Sequence, residues 1–139
     1  YKLVNYKSPY VSGNFTLGEN SIIMDGAVIQ PYVTIGDNVF VWGGAMIGHH
    51  TQIGDNCWLT GSCAIGGVVK LGSGCFVGLN AIIGHDIVIG ERCMLGAGTV
   101  TNKSLPDRTV LITQDTLPYR LNTDQFIKIS SCFRVQERI

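Results

Sequence analysis

The feature that most restricts this chain is a period of six. Every sixth residue from Val11 onward is aliphatic, namely Val11, Leu17, Ile23, Ile29, Ile35, Val41, Ile47, Ile53, Leu59, Ile65, Leu71, Val77, Ile83, Ile89 and Leu95. Four positions after each of these, the side chain is mostly small, as at Ser21, Ala27, Ala45, Thr51, Cys57, Cys63, Cys75, Ala81, Cys93 and Thr99. An amphipathic helix needs apolar residues at intervals of three and four, so the pattern excludes one. A short strand followed by a sharp turn fits instead. Three such units make an 18-residue triangular coil, and coils stacked about 4.8 Å apart let each strand pair in parallel with the next one along the axis. Residues 11–100 supply about five coils. Gly18, Gly36, Gly54, Gly72 and Gly90 fall 18 apart, which predicts one corner where glycine relieves a positive φ.

Charge and cysteine content narrow the function classes. Ten Lys and Arg balance ten Asp and Glu, so nothing attracts a polyanion and no nucleic-acid partner is expected. No apolar run approaches 18 residues, which argues against a membrane span, and 45% hydrophobic content allows a substantial core. Cys57, Cys63, Cys75 and Cys93 occupy the small slot of their hexads and are expected to be reduced core residues. There is no CxxC, Cys132 lies outside the repeat, and a cytoplasmic location is expected. The first residue is Tyr1, and a preceding segment is expected.

The chain divides into a lead-in at 1–10, a coil domain at 11–104 and an extension at 105–139. Asn102, Pro106 and Asp107 mark turns where the hexad breaks, ahead of a strand expected between Thr109 and Ile112. Phe126, Ile129 and Phe133 are spaced for a short helix capped by Asn122 or Thr123. Its expected task is to cover an open end of the prism. The extension's small excess of basic residues reads as a solvated surface.

The repeat, together with Ile47-Gly48-His49-His50, Gly78-Leu79-Asn80-Ala81 and Leu95-Gly96-Ala97-Gly98, resembles the hexapeptide-repeat acyltransferases. The likeness is to the sialic acid O-acetyltransferase and bacillosamine-pathway sugar N-acetyltransferase type. It implies an all-β left-handed parallel β-helix, acetyl-CoA or another acyl-CoA as co-substrate, no metal, a sugar or nucleotide-sugar acceptor, and a homotrimer with active sites between protomers. Parallel crossovers are nearly always right-handed, so the handedness comes from the resemblance and not from the period. A trimer also suits the physics, because fifteen aliphatic side chains bury too little to order ninety residues unaided. Relatives of this type usually carry a small Rossmann-like domain ahead of the coil, which these residues do not contain.

Acyl transfer from a thioester needs a base for the acceptor's proton, donors for the oxyanion and a groove for the pantetheine arm. His49, His50 and His85 are the three histidines, and all fall on one side of the prism. His49 matches the catalytic histidine of the resembling enzymes and is expected to be the general base. His49 and His85 share a hexad position two coils apart, with Gly67 between them. The Gly67 backbone N–H is expected to donate to the thioester oxygen, and the gap to hold the reacting atoms. Asp55, in the next hexad, is the candidate to orient His49. His50, His85 and Trp58 are expected to contact the acceptor, and Trp42 is a further outward aromatic. Gly67, Gly78, Asn80, Gly96 and Gly98 are expected to bind the acyl donor, with Gly78, Gly96 and Gly98 where the family's coenzyme A runs.

Two other readings stay open on these residues. A gamma-class carbonic anhydrase-like metalloenzyme would use His49 and His85 as ligands, but Gly90 stands where that class places its third histidine. A noncatalytic trimeric scaffold would use none of them.

Overall fold

Each hexad closes on a two-residue strand, and the four residues between strands turn the chain through a corner. The computed structural model describes residues 6–8 and 13–129. Among the described residues, seventeen short strands wind as a left-handed parallel β-helix and stack into one seven-stranded and two five-stranded parallel sheets. The register carries the repeat directly, since Ile65 pairs with Ile47 below and Ile83 above. From Ile23 to Leu95 the aliphatic column is between 0 and 6% exposed. Leu17 is half-buried and Val11 lies outside the described residues.

The small slot has a second task. Corner carbonyls point along the axis, where no strand partner reaches them, and the side chain one coil earlier satisfies them. Thus Ser21 Oγ donates to Gly36 O at 2.9 Å and Thr51 Oγ1 to Gly66 O at 2.8 Å. The thiols of Cys57 and Cys75 donate to Gly72 O and Gly90 O at 3.2 and 3.1 Å. Cys57, Cys63, Cys75 and Cys93 are free thiols and buried, while Cys132 lies outside the described residues. Burial pushes the Cys63 thiol up to about 11. Because all four are buried, they should resist an aromatic disulfide reagent at pH 8 in the native protein and react together once it is unfolded in guanidinium. Rapid native reaction of any of them would contradict their inward placement.

The glycine column is correct in spacing, but its cause is different from the one expected. None of Gly18, Gly36, Gly54, Gly72 and Gly90 has a positive φ. The left-handed residues come two positions later, at Asn20, Asn38, Asn56, Gly74 and Arg92 on this corner. What the column requires is room, because consecutive coils touch there through their backbones. A Cβ added to Gly72 would lie 2.6 Å from the Gly90 carbonyl carbon and 2.7 Å from Glu91 N.

The three outer faces differ in chemistry. One five-stranded face presents Thr16, Thr34, Gln52, Lys70 and Val88 and is mostly polar. The other presents Val28, Met46, Ala64, Ile82 and Val100, an aliphatic strip whose members other than Ala64 are exposed. The seven-stranded face presents Phe40, Trp58, Phe76 and Met94 in its middle, with Phe40 and Trp58 stacked at 4.7 Å between ring centroids.

The winding continues through one shorter turn to the strand expected between Thr109 and Ile112. Ile83 pairs with Thr101, but Ile89 bridges Leu105 and Leu95 pairs with Leu111, so this last turn is two residues short. The tail strand is Val110–Leu111. Helix Thr123–Ile129 is capped by Asn122, whose Oδ1 accepts from Gln125 N at 2.9 Å while Gln125 Oε1 accepts from Asn122 N at 3.1 Å. These two bonds form a reciprocal cap. The expected lid is not formed, since no helix residue is buried and the helix packs on no strand. Phe126 instead meets Tyr119 edge-on at 5.8 Å, and Phe133 lies outside the described residues.

Candidate active site

One corner, where the aliphatic face turns into the polar face, gathers all three histidines. In successive coils it is built from Gln30-Pro31-Tyr32, Gly48-His49-His50, Gly66-Gly67-Val68 and Gly84-His85-Asp86. The backbone is pinned between coils: His49 N donates to Gln30 Oε1 at 2.9 Å, His50 N to Pro31 O at 3.2 Å, Val68 N to His49 O at 2.8 Å and Asp86 N to Gly67 O at 2.9 Å. His50 has a φ of 58° and Asp86 one of 54°. That left-handed step sends consecutive side chains in different directions.

His49 leans up the axis over Gly67. A Cβ on Gly67 would sit 2.7 Å from His49 Nε2 and 2.8 Å from its Cε1, so only glycine leaves space for the ring. The expected gap between His49 and His85 is thereby partly filled, and their ring centroids lie 6.0 Å apart. Gly67 is buried, and among the described residues no acceptor takes its N–H. His49, His50 and His85 are exposed. His49 Nδ1 faces His50 Nδ1 at 3.1 Å, and the His50 ring lies against Tyr32 with centroids 4.9 Å apart.

Asp55 does not orient His49. It belongs to the next corner of the coil, where its Oδ1 accepts from Asp37 N at 2.8 Å in a stack of acidic side chains bonding to the coil below. The donor-binding candidates form a second group. Gly78, Asn80, Gly96 and Gly98 lie on the corner between the seven-stranded face and the aliphatic face, on the opposite edge of the aliphatic strip from His49. Asn80 and Gly98 have φ of 54° and 69°, and a Cβ on Gly78 would come 2.6 Å from Ala97 N. Beside that corner Trp42, Trp58, Phe76, Leu79 and Ala97 line an open apolar cleft of about 610 Å³. Within one chain, therefore, Trp42 and Trp58 are not brought to His49. Among the described residues no three His, Cys, Asp or Glu side chains converge where they could hold a metal ion.

With six-residue steps, a triangular coil and a corner histidine in place, comparison with known proteins is informative. The family profile for bacterial transferase hexapeptide repeats matches residues 16–49 and 69–103. The chain is a hexapeptide-repeat protein. Among solved structures, this hexapeptide-repeat protein is similar to PerB from Caulobacter crescentus in complex with CoA and GDP-perosamine, with 31% identity and a TM-score of 0.76 over 79% of this chain and 54% of that one. A mutant of perosamine N-acetyltransferase from Caulobacter crescentus, also in complex with CoA and GDP-perosamine, matches with 30% identity and a TM-score of 0.76 over 79% of this chain and 53% of the other. The acetyltransferase domain of PglB from Neisseria gonorrhoeae, in complex with acetyl coenzyme A, matches at 23% identity and a TM-score of 0.75 over 79% of this chain and 55% of that chain, which shows the shared fold. The hexapeptide-repeat chain spans about half the length of these relatives. Comparison with curated proteins gives no match.

Gln30 and Tyr32 are parts of the histidine corner that the sequence reading missed. A signal existed, because both sit 18 residues before members of the Gly48-His49-His50 segment and must stack on them in an 18-residue coil.

Proposed function

We propose that this protein transfers an acyl group, acetyl from acetyl-CoA, to an amine or hydroxyl of a sugar or nucleotide-linked sugar, with His49 as general base. The observation that carries this reading is the histidine corner itself: an exposed imidazole whose Nε2 lies against a buried glycine whose N–H meets no acceptor among the described residues. In the reaction His49 Nε2 takes the acceptor's proton as its nitrogen or oxygen bonds to the thioester carbon. The Gly67 N–H donates to the carbonyl oxygen as negative charge develops there. The C–S bond then breaks, and the leaving thiolate of coenzyme A recovers the proton from His49. CoA and GDP-perosamine bound to relatives of the same fold support both substrate classes.

The site is completed by a second chain in this proposal. Two of the three outer faces are apolar, and in this proposal the aromatic face of one protomer meets the aliphatic face of the next in a heterologous contact that a three-fold axis closes into a ring of three. The corner of Gly78, Asn80, Gly96 and Gly98 and the Trp58 cleft of one protomer then adjoin the His49, His50 and His85 corner of its neighbour. The pantetheine arm lies along the glycine corner and the acceptor against the histidines. Light scattering should give the mass of three chains.

Release of free thiol from acetyl-CoA, with nucleotide-linked amino sugars offered as acceptors, tests the reading. No acceptor-dependent release with any of them would overturn it. Gly67→Ala should lower turnover by about 10-fold or more, because its methyl displaces the His49 ring from its present position. Unchanged turnover in that variant would remove Gly67 from the site.

A further inference from the structure

We infer that His50 is the positioning residue for His49, holding it in the tautomer with the proton on Nδ1 and the lone pair on Nε2. The inference rests on the acyl-transfer reading above.

Two imidazole nitrogens 3.1 Å apart share a hydrogen bond only if one carries a proton and the other does not. There are two ways to place that proton. With it on His49 Nδ1, the His49 Nε2 lone pair is free beside Gly67, and His50 accepts through Nδ1 while keeping its own proton on Nε2. With it on His50 Nδ1, His49 carries its proton on Nε2 and cannot receive one from an acceptor. Only the first arrangement makes His49 a base at the position where its ring meets the glycine.

Local construction favours a fixed acceptor at residue 50. Its φ of 58° turns the side chain away from the direction His49 takes. Its main-chain N–H is held by Pro31 O at 3.2 Å, and its ring is backed by Tyr32 at 4.9 Å between centroids. The rings of His49 and His50 meet edge-on, with an interplanar angle of 85°. Asp55, the carboxylate expected to do this work, is bonded to Asp37 N at another corner. A neutral imidazole therefore fills the orienting role that a carboxylate fills in a serine protease triad. It fixes the tautomer without placing a negative charge beside the base.

Two substitutions separate this role from packing. His50→Asn keeps an acceptor near the Nδ1 position, and asparagine already occupies the equivalent left-handed step at Asn20, Asn38, Asn56 and Asn80. His50→Phe keeps a ring against Tyr32 and removes the acceptor. The Phe variant should lose on the order of 10²-fold in kcat with KM for acetyl-CoA little changed, and the Asn variant should recover most of that loss. Thermal midpoints serve as the control for folding. Full activity in the Phe variant overturns the inference, and so does an Asn variant as impaired as Phe while equally well folded.

A second measurement does not depend on turnover. Long-range ¹H–¹⁵N correlation spectra of the wild-type imidazoles at neutral pH should show His49 protonated at Nδ1 and bare at Nε2, with His50 bare at Nδ1. The reverse assignment overturns the inference. If the wild-type protein transfers no acetyl group at all, the acyl-transfer reading fails, and the spectra alone then decide whether His50 sets the tautomer.

Discussion

Replacing His49 by alanine should lower kcat for acetyl transfer by about 10² to 10⁴-fold, the range lost when a general base is removed. The side chain is exposed and its contacts are confined to one corner, so the prism should stay folded with an unchanged thermal midpoint. Its backbone bonds to Gln30 and Val68 involve main-chain atoms that alanine retains. The loss should therefore fall on turnover, with affinity for acetyl-CoA preserved, since the proposed donor contacts at Gly78, Asn80, Gly96 and Gly98 come from the neighbouring protomer and keep all their atoms. Steady-state kinetics beside calorimetric binding of CoA separate the two. A variant with wild-type turnover would remove His49 from the chemistry while leaving the fold as described.

The second large effect concerns stability. Gly72→Ala should destabilise the protein by about 3 kcal/mol or more, because the added methyl meets the Gly90–Glu91 peptide of the next coil and backbone has no alternative rotamer. The nearest atoms are the Gly90 carbonyl carbon at 2.6 Å, with Glu91 N and Gly90 O at 2.7 Å. Gly26→Ala makes the informative contrast. That glycine has a φ of 79° but open surroundings, with the nearest atom, Gly44 N, at 3.5 Å from an added Cβ. Its cost is only the conformational one, about 1 to 2 kcal/mol. Urea unfolding with unchanged m-values would measure both. If the two substitutions cost the same, the crowding explanation of the glycine column fails.

That column shows where reading the chain alone reached its limit. Spacing revealed that one corner repeats every 18 residues, because a side-chain preference recurs at a fixed interval whatever its cause. It did not reveal whether glycine was demanded by torsion or by contact, because both exclude a Cβ. The aliphatic column and the small slot were legible for the same reason, being direct consequences of a narrow interior. That His49 and Gly67 stand on successive rungs of one corner was legible through coil arithmetic.

Asp55 was misplaced because proximity in sequence means little at a corner. One hexad onward is a different edge of the triangle, whereas 18 residues onward is the adjacent rung. The His49 and His50 contact was hidden for a related reason. Adjacent side chains normally diverge, and the left-handed torsion at His50 gives no sequence signal that the two Nδ1 atoms come to 3.1 Å. The C-terminal helix formed with its expected Asn122 cap, since a cap is a local matter. Its failure to close the prism end depended on packing that no local signal encodes.

The final turn, two residues shorter than the 18-residue turns between Ile23 and Leu95, exposes a property of the architecture as a ruler. Between Ile23 and Leu95 the chain has no spare residue with which to absorb a frameshift in winding. A single deletion there would present every later inward side chain to water. A whole inserted rung of 18 residues would leave all of them facing as before. Distance from the histidine corner to the end of the prism thus changes only in whole steps of about 4.8 Å, so a lineage can lengthen the wall that meets a long ligand by duplication without retuning the corner itself.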